Sequence, residues 1–170
     1  YGLAANALNT EAVLKIYQAK NRPAFNPLIV HVGQVSDLEL YTTAIPDLVY
    51  QLAEKFSPGP LTYLLPKNNI IPDLVTSGLD AVALRIPSHP MFQRLLKEIN
   101  FPLAAPSANP FGYISPTAAN HVYQGLSGKI PYILDGGASN IGLESTIISF
   151  LNDTPEILRF GGISPEAIEK

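Results

Sequence analysis

Four cationic side chains could together bind an anionic ligand. They lie in or beside apolar segments that read as strands: Lys20, Arg22, Arg85 and Arg159. An unpaired buried cation is very costly, so each of them requires a carboxylate, a phosphate or solvent. Hydroxyl groups occur in neighbouring segments, on Thr62, Ser107, Ser115 and Ser145. Because ligands of open α/β sheets gather at strand ends, this set suits a nucleoside triphosphate with a carboxylate-bearing second substrate beside it.

Lys20 and Arg22 are two residues apart and follow a predicted helix. Basic residues at that position can simply stabilise the helix C-terminus through its dipole. The alternative is a pair of cations directed at phosphate groups. Pro23 biases Arg22 towards an extended conformation, which favours a fixed site over a solvated side chain.

Two polar residues interrupt predicted strands that are otherwise apolar, Arg85 in segment 82–86 and His31 in segment 29–32. For Arg85, the alternative to a ligand contact is an edge strand from which the long side chain reaches solvent. For His31, the alternatives are a hydrogen-bonded core residue and a contact to substrate.

Short polar motifs flanked by proline follow these strands. Ser107 and Asn109 lie between two prolines and can point to one side of an extended segment; the alternative is a local Asx or Ser turn. Ser115 precedes Pro116 and is predicted to cap a helix that reaches about Tyr123. The N-terminus of such a helix would be an anion-binding site.

Composition and motifs exclude several classes of site. The 170 residues contain no cysteine, which excludes a thiolate nucleophile, a disulfide framework and Cys-ligated zinc. The three histidines lack metal-site spacing, and GxSxG, GxGxxG and P-loop motifs are absent, so we expect no metal held by protein ligands. With 11 Lys+Arg against 14 Asp+Glu, nucleic-acid binding by bulk charge is disfavoured.

The same composition bears on location and completeness. The sequence lacks the ~18 uninterrupted apolar residues of a membrane span, so we expect no membrane association. The absence of cysteine fits a cytoplasmic protein. The chain begins without Met at Tyr1, in an apolar, tight-turning segment. We interpret this opening as the middle of a longer protein whose N-terminal strand is missing.

Apolar segments alternate with helix-like windows, which indicates an α/β fold. No linker or repeat divides residues 1–170, so we expect one domain. Helices are predicted at 10–17, 46–56, 88–99, 115–123 and from 164. Strands are predicted at 28–32, 61–65, 81–86, 102–105, 145–151 and 156–160.

Nine short segments follow one another in the order found in a known family, and on them the chain resembles the YrdC-like domain of threonylcarbamoyl-AMP synthases. They are Tyr1-Gly2-Leu3, Lys20-Asn21-Arg22-Pro23, Pro27-Leu28 to His31-Val32, Pro58-Gly59-Pro60-Leu61-Thr62, Arg85-Ile86-Pro87, Pro106-Ser107-Ala108-Asn109, Ser115-Pro116-Thr117, Leu143-Glu144-Ser145-Thr146 and Leu158-Arg159. Each is weak alone, but nine in order are specific. The resemblance implies a twisted mixed α/β sheet with flanking helices and a deep ligand groove.

The resemblance also implies a reaction. L-threonine, bicarbonate (or CO2) and ATP would give threonylcarbamoyl-AMP and pyrophosphate, and the product would pass to a tRNA threonylcarbamoyl transferase for N6-threonylcarbamoylation of adenosine 37. Such a reaction needs no covalent nucleophile and depends on positioning and charge stabilisation. Mg2+ is expected to arrive with ATP rather than in a protein cage.

Residue roles carry over by matching motif. The family's groove tetrad is matched by Lys20, Arg22, Ser107 and Asn109, which are the expected catalytic residues. The expected ATP contacts are Arg22, Asn26, Thr62, Ser107, Ser115 and Arg159. The expected threonine contacts are His31, Arg85, Ala105 through its backbone, and Ser145.

The family's Pro-Thr-Glu-Thr segment, which precedes Tyr-Gly-Leu and contributes a threonine contact, is not in the sequence. A protein truly lacking it should bind threonine poorly. The family has single-domain members and longer ones with a second C-terminal domain, and both remain open. The alternative function is a YrdC-like RNA-binding protein without this activity, similar to relatives that bind double-stranded RNA through a basic concave face; the acidic balance of charge argues against it. Weak binding of tRNA is a separate expectation. A carbamoyl-transfer relative is disfavoured by the small size of the chain.

Overall fold

A seven-stranded mixed sheet organises the computed structural model, which describes residues 1–169. The strands are β1 (Ala5–Asn6), β2 (Ile29–His31), β3 (Leu61–Pro66), β4 (Ala81–Arg85), β5 (Leu103–Ala104), β6 (Thr146–Ser149) and β7 (Glu156–Arg159). Their spatial order is β1-β5-β2-β4-β3-β6-β7. The β2–β4 and β3–β6 pairs are parallel and the other pairs antiparallel. The predicted mixed α/β fold is confirmed.

Helices connect the strands and flank the sheet. They are α1 (Thr10–Lys20), α2 (Leu38–Tyr41), α3 (Asp47–Phe56), α4 (Asp73–Thr76), α5 (Pro90–Glu98), α6 (Ala119–Leu126) and α7 (Pro165–Ile168), and a short 3-10 turn (Val35–Asp37) precedes α2. Among residues 1–169, none of these helices is long and apolar enough to cross a membrane.

One face of the sheet forms the apolar core. Val30, Tyr63 and Leu84, from β2, β3 and β4, are completely buried in the same cluster as residues of α1 and α3 such as Val13 and Val49. Successive side chains of a strand point to opposite faces. The neighbours of these core residues along β2, β3 and β4 therefore face the other side of the sheet, where the polar residues of the central strands lie.

The end of α1 is shaped by its capping residues. The helix begins after Asn9, whose side chain accepts a hydrogen bond from the backbone N–H of Ala12 at 3.0 Å. It ends at Asn21, which has a left-handed conformation with φ of 53°, an arrangement that asparagine tolerates better than most residues. This reversal leaves Lys20, the last helical residue, buried and pointing inwards.

The helix predicted from Ser115 to Tyr123 is wrong at its start. It begins at Ala119, after Ala118, and ends at Leu126. Tertiary contacts hold the preceding segment in a non-helical form: the Ser115 hydroxyl donates to Glu144 at 2.8 Å, and the carbonyl of Thr117 accepts from the N–H of Ser139 at 2.8 Å. The anion-binding helix N-terminus expected at Ser115 therefore does not form.

Smaller differences concern short elements. The helix expected from Ser88 begins at Pro90 and follows His89. Strand β1 and helices α2 and α4 contain only two to four residues each, too few for a hydrophobic period to be visible in the sequence. The edge position considered for Arg85 is wrong, since β4 lies between β2 and β3.

Gly161 allows the chain after β7 to pass against the start of β6. A Cβ atom at this position would lie 2.4 Å from the carbonyl oxygen of Glu144 and 2.4 Å from the carbonyl carbon of Ser145. The next residue, Gly162, donates its N–H to the same Glu144 carbonyl at 2.9 Å. The segment before β6 is therefore fixed by a backbone contact that only glycine permits.

We expect Gly161→Ala to lower the free energy of unfolding by about 2 kcal/mol, because the added methyl group forces two backbone segments apart. Urea unfolding measures the change. Gly33→Ala is the matched control, since its Cβ would meet its nearest neighbour at an ordinary 3.4 Å. Equal stability of the two variants would contradict the close approach at Gly161.

Candidate functional site

Three of the predicted site residues form a row across the centre of the sheet. His31 of β2 pairs in register with Arg85 of β4, and Arg85 pairs in register with Thr62 of β3. In-register residues of adjacent strands point to the same face, and neighbouring strands lie about 4.8 Å apart. The three side chains are thus side by side on the face opposite the core. Ser145, just before β6, extends the row, because its Oγ lies 2.7 Å from Oγ1 of Thr62.

The backbone of Gly59 orients Arg85. Its carbonyl accepts a hydrogen bond from Nε of Arg85 at 3.0 Å, while its N–H donates to the carbonyl of Ile86 at 2.8 Å. Burial lowers the pKa of Arg85 from its usual value, and the nearby Glu144 carboxylate opposes that effect. Over the described part of the chain, the two terminal guanidinium nitrogens of Arg85 have no hydrogen bond. They can therefore bind a carboxylate through both nitrogens.

His31 supplies a neutral imidazole to the row. Its side chain is buried beside Phe92, with 5.5 Å between ring centroids. Burial lowers the pKa of His31 to about 3, and the nearby charge of Arg85 acts in the same direction. The buried Nδ1 atom has no hydrogen-bond partner among residues 1–169. Because an unsatisfied buried polar atom is costly, this nitrogen is a position at which a ligand hydroxyl would be stabilising.

Arg159 lies at the other end of the row, beside Ser145. Its Nε donates to the carbonyl of Ser145 at 2.9 Å, and its Nη2 donates to Oγ of Ser145 at 2.8 Å. A carboxylate oxygen of Glu144 lies 3.9 Å from Nη2 of Arg159, and the other accepts from the hydroxyl of Ser115 at 2.8 Å. Thr62, Ser145, Arg159, Glu144 and Ser115 therefore form one continuous chain of polar contacts.

Lys20 ties the end of α1 to the loop after β5. Its ammonium group donates to the backbone carbonyls of Ser107 and Asn109, and in return the carbonyl of Lys20 accepts from the N–H of Phe111 at 2.8 Å. The side chain is only 1% exposed. Burial, with a smaller contribution from the charge of Arg22, lowers the pKa of Lys20 to about 8. The ammonium group therefore bonds to a distant segment rather than to the end of its own helix.

Arg22 is held by the loop that follows it. Its Nε and Nη2 donate to the carbonyls of Asn26 at 3.3 Å and Pro27 at 3.2 Å. The guanidinium also lies over the ring of Phe111, 5.8 Å from its centroid, a cation–π distance. Asn26 thus supports Arg22 through its backbone, a contact that the sequence did not indicate.

The loop after β5 brings the remaining predicted residues. The N–H of Ala105 donates to the carbonyl of Ile29 at 3.0 Å, so its backbone lies beside β2. The backbone of Ser107 pairs with that of Gly2 in an isolated antiparallel β-bridge. Asn109 donates through Nδ2 to the carbonyls of Pro110 and Tyr113 at 2.9 and 2.7 Å. Its buried Oδ1 has no hydrogen-bond partner in the described chain.

Glu144 connects the two groups of residues electrostatically. Its charge opposes the lowering of the pKa values of Lys20, Arg85 and Arg159, and its carboxylate lies 3.9 Å from Nη2 of Arg159. Cations from α1, β4 and β7 are thus all influenced by the charge of Glu144. Glu144 was not among the site residues predicted from the sequence, although its segment, 143–146, was. The signal that could have identified it is a single acidic residue in a segment that otherwise supplies hydroxyl groups.

The deep groove implied by the family resemblance stays a prediction. A depression of about 440 Å³ borders Asn109, Tyr113 and His121, and one of about 250 Å³ borders Tyr123 and Ile133. Neither is lined by the central row. Across residues 1–169, no three His, Asp or Glu side chains lie together in a group that could hold a metal ion.

Comparisons with known proteins identify the family of this chain. The sequence model Sua5_yciO_yrdC, described as "Telomere recombination", matches residues 1–161. The threonylcarbamoyl-AMP synthase of Bacillus subtilis is 51% identical over 170 residues, covering 99% of this chain and 49% of the relative. That of Pyrococcus abyssi is 48% identical over 170 residues, covering 100% and 50%.

A solved structure of P. abyssi Sua5 complexed with L-threonine matches the fold with a TM-score of 0.97 at 48% identity, covering 99% of this chain and 50% of that one. The chain therefore belongs to the Sua5/YciO/YrdC family, as its motifs predicted. It spans about half the length of the curated relatives it matches.

The pKa of Lys20 gives a test of its burial. The folded chain binds the Lys20 proton less tightly than the unfolded chain, where the pKa is the ordinary 10.5. Wild-type stability, relative to a Lys20→Met variant, should therefore rise with pH between about 8 and 10. Urea unfolding at several pH values measures this difference.

Lys15→Met is the matched control, because Lys15 is exposed on the same helix. Its difference from wild type should not change over this range. A wild-type advantage over Lys20→Met that stays flat or falls with pH would contradict a buried, hydrogen-bonded ammonium group.

Proposed function

We propose that this chain forms the substrate site of a threonylcarbamoyl-AMP synthase, an enzyme of the nucleotidyltransferase class. The observation that carries the proposal is the in-register row of His31, Arg85 and Thr62, continued by Ser145 and Arg159. Two relatives with this activity in their names are 48% and 51% identical over essentially the whole chain. Since the chain spans half of those relatives, the activity of the whole protein is part of the proposal.

L-threonine fits the end of the row formed by β2 and β4. Arg85 would bind its carboxylate through the two terminal nitrogens. His31 Nδ1, which has no hydrogen-bond partner among residues 1–169, would accept a hydrogen bond from the hydroxyl group of threonine. Ala105, through its backbone, and Ser145 are the other expected threonine contacts. The similarity to a protein whose solved structure holds L-threonine supports this assignment.

ATP would occupy the cationic side of the site. Arg22 and Arg159 would bind its phosphates, with Asn26, Thr62, Ser107 and Ser115 as the other predicted contacts. Lys20 would contribute without leaving the protein interior. Its ammonium group donates to the backbone carbonyls of Ser107 and Asn109 and thereby fixes the loop that carries them. Catalysis in such a site comes from positioning and from stabilising charge that develops on the phosphates.

The proposed reaction uses no covalent enzyme intermediate. The uncharged amine of threonine attacks the carbon of CO2, supplied directly or from bicarbonate, and loses a proton to solvent water to give a carbamate. A carbamate oxygen then attacks the α-phosphorus of ATP, and the bond to the leaving pyrophosphate breaks. The negative charge on the departing pyrophosphate would be stabilised by the nearby cations.

Mg2+ would enter with ATP. The side-chain oxygens in the described part of the site are mostly hydroxyls, with Glu144 as the nearby carboxylate and Asn109 Oδ1 as an unpartnered amide oxygen. This donor set does not make a cage, but it fits an ion held mainly by phosphate oxygens and water. Bound in that way, the ion would neutralise phosphate charge.

Transfer of the product to a tRNA threonylcarbamoyl transferase, weak tRNA binding and a cytoplasmic location stay predictions. The RNA-binding alternative lacks an observation in its favour, because the cations of the site are turned towards protein carbonyls and hydroxyls rather than spread over a surface.

The proposal is tested by pyrophosphate release from ATP with the full-length protein, with L-threonine and bicarbonate each omitted in turn. We expect release only when both are present. Release without threonine, or no release at all, would contradict the proposed function.

Arg22→Ala should abolish this release, because Arg22 would bind the phosphates, while leaving the melting temperature close to that of wild type. Arg94→Ala is the matched control, since Arg94 is exposed on α5. A large drop in melting temperature for Arg22→Ala would instead indicate a structural role.

A further inference from the structure

Glu144 uses its carboxylate to engage two residues that are expected to contact ATP. One oxygen accepts the hydroxyl hydrogen of Ser115 at 2.8 Å, and the other lies 3.9 Å from Nη2 of Arg159. None of the roles assigned so far includes Glu144. Its position implies a competition. The Ser115 hydroxyl and the Arg159 guanidinium cannot bind the Glu144 carboxylate and a phosphate group in the same way at the same time.

The backbone of Glu144 is fixed, whereas its side chain is free to move. The Glu144 carbonyl accepts from the N–H of Gly162 at 2.9 Å, and Gly161 passes so close that a Cβ there would lie 2.4 Å from the same oxygen. The side chain, by contrast, is 51% exposed. The carboxylate can thus leave Ser115 and Arg159 by side-chain rotation, without unfolding the segment before β6.

The charge of Glu144 acts on cations from three elements. It opposes the lowering of the pKa values of Lys20, Arg85 and Arg159, which come from α1, β4 and β7. Without an anion nearby, these like charges would repel one another. The Glu144 carboxylate, which lies 3.9 Å from Nη2 of Arg159, therefore opposes this repulsion before any ligand is bound.

A bound triphosphate would make the Glu144 carboxylate unfavourable at this position. It carries several negative charges into the same neighbourhood, where they would attract the cations and repel the Glu144 carboxylate. Two anions in one site disfavour each other, and the more highly charged one makes the stronger set of contacts.

From these contacts we propose that Glu144 occupies the position of an ATP phosphate group in the unliganded protein and gives up Ser115 and Arg159 when ATP binds. Glu144 is then a positioning residue: it keeps the hydroxyl and the guanidinium in place for the phosphate, and it lowers the affinity for ATP by competing with it. This inference rests on the proposed function, since it assumes that ATP binds at Ser115 and Arg159.

The test is the dissociation constant of ATP for the full chain carrying Glu144→Gln. Glutamine keeps the size of the side chain and an oxygen that accepts from Ser115, but it removes the charge. We expect Glu144→Gln to bind ATP about fivefold more tightly than wild type, the effect of removing one charged competitor worth about 1 kcal/mol. Calorimetric titration without threonine measures this directly.

Glu156→Gln is the matched control, because Glu156 is an exposed acid on β7 whose removal changes net charge equally. It should bind ATP like wild type. An affinity of Glu144→Gln that equals or falls below that of Glu156→Gln would overturn the inference.

A third variant, Arg159→Ala, separates this inference from the proposed function. If Arg159→Ala weakens ATP binding while Glu144→Gln does not tighten it, the competition by Glu144 is wrong and the proposed ATP position stands. If Arg159→Ala binds ATP as wild type does, the proposed ATP position is itself wrong, and the role of Glu144 is contradicted with it.

Without ATP, Glu144→Gln should also melt at a lower temperature than Glu156→Gln in low salt, because it leaves the cations uncompensated. An equal melting temperature of the two variants would contradict the proposed role of Glu144 in the unliganded protein.

Discussion

The register of β2, β4 and β3 is the constraint on which the candidate site depends. His31, Arg85 and Thr62 share one face of the sheet because each is paired directly with the next. A slip of one residue would turn a polar side chain into the core and bring an apolar one out. The buried neighbours Val30, Leu84 and Tyr63 prevent that slip, since each fills the opposite, apolar face. The register that packs the core therefore also places the site residues on one face of the sheet.

A second constraint is that the cations of the site need hydrogen-bond partners in a protein with few charged residues. Only 15% of the residues are charged, and the cations of the site are each satisfied mainly by backbone carbonyls or hydroxyls. Lys20 bonds to Ser107 and Asn109, and Arg85 bonds to Gly59. Carbonyl partners fix the direction of a cation without neutralising it. Arg85, bound to a carbonyl through Nε alone, can therefore still attract an anionic substrate through its terminal nitrogens, whereas a full ion pair would cancel the charge.

The sequence predicted the main helices and strands because these segments are long enough to show an apolar pattern, as in β3 and α1. It also identified Arg85 and His31, since a polar residue in an apolar strand is conspicuous. It could not predict that β2 lies beside β4 or that β3 lies beside β6, because these pairings join segments distant in the chain. The role of Ser115 was misread as a helix cap, since its partner, Glu144, is 29 residues away.

The central claim is that His31 and Arg85, at one end of the row, bind an amino acid, with Arg85 on its carboxylate. The most direct measurement is the dissociation constant of L-threonine for Arg85→Lys in the full-length protein, with Arg94→Lys as the exposed control. A lysine cannot bind a carboxylate through two parallel hydrogen bonds, so we predict that threonine binding weakens about tenfold or more. Unchanged affinity in Arg85→Lys, with an unchanged fold, would contradict the account.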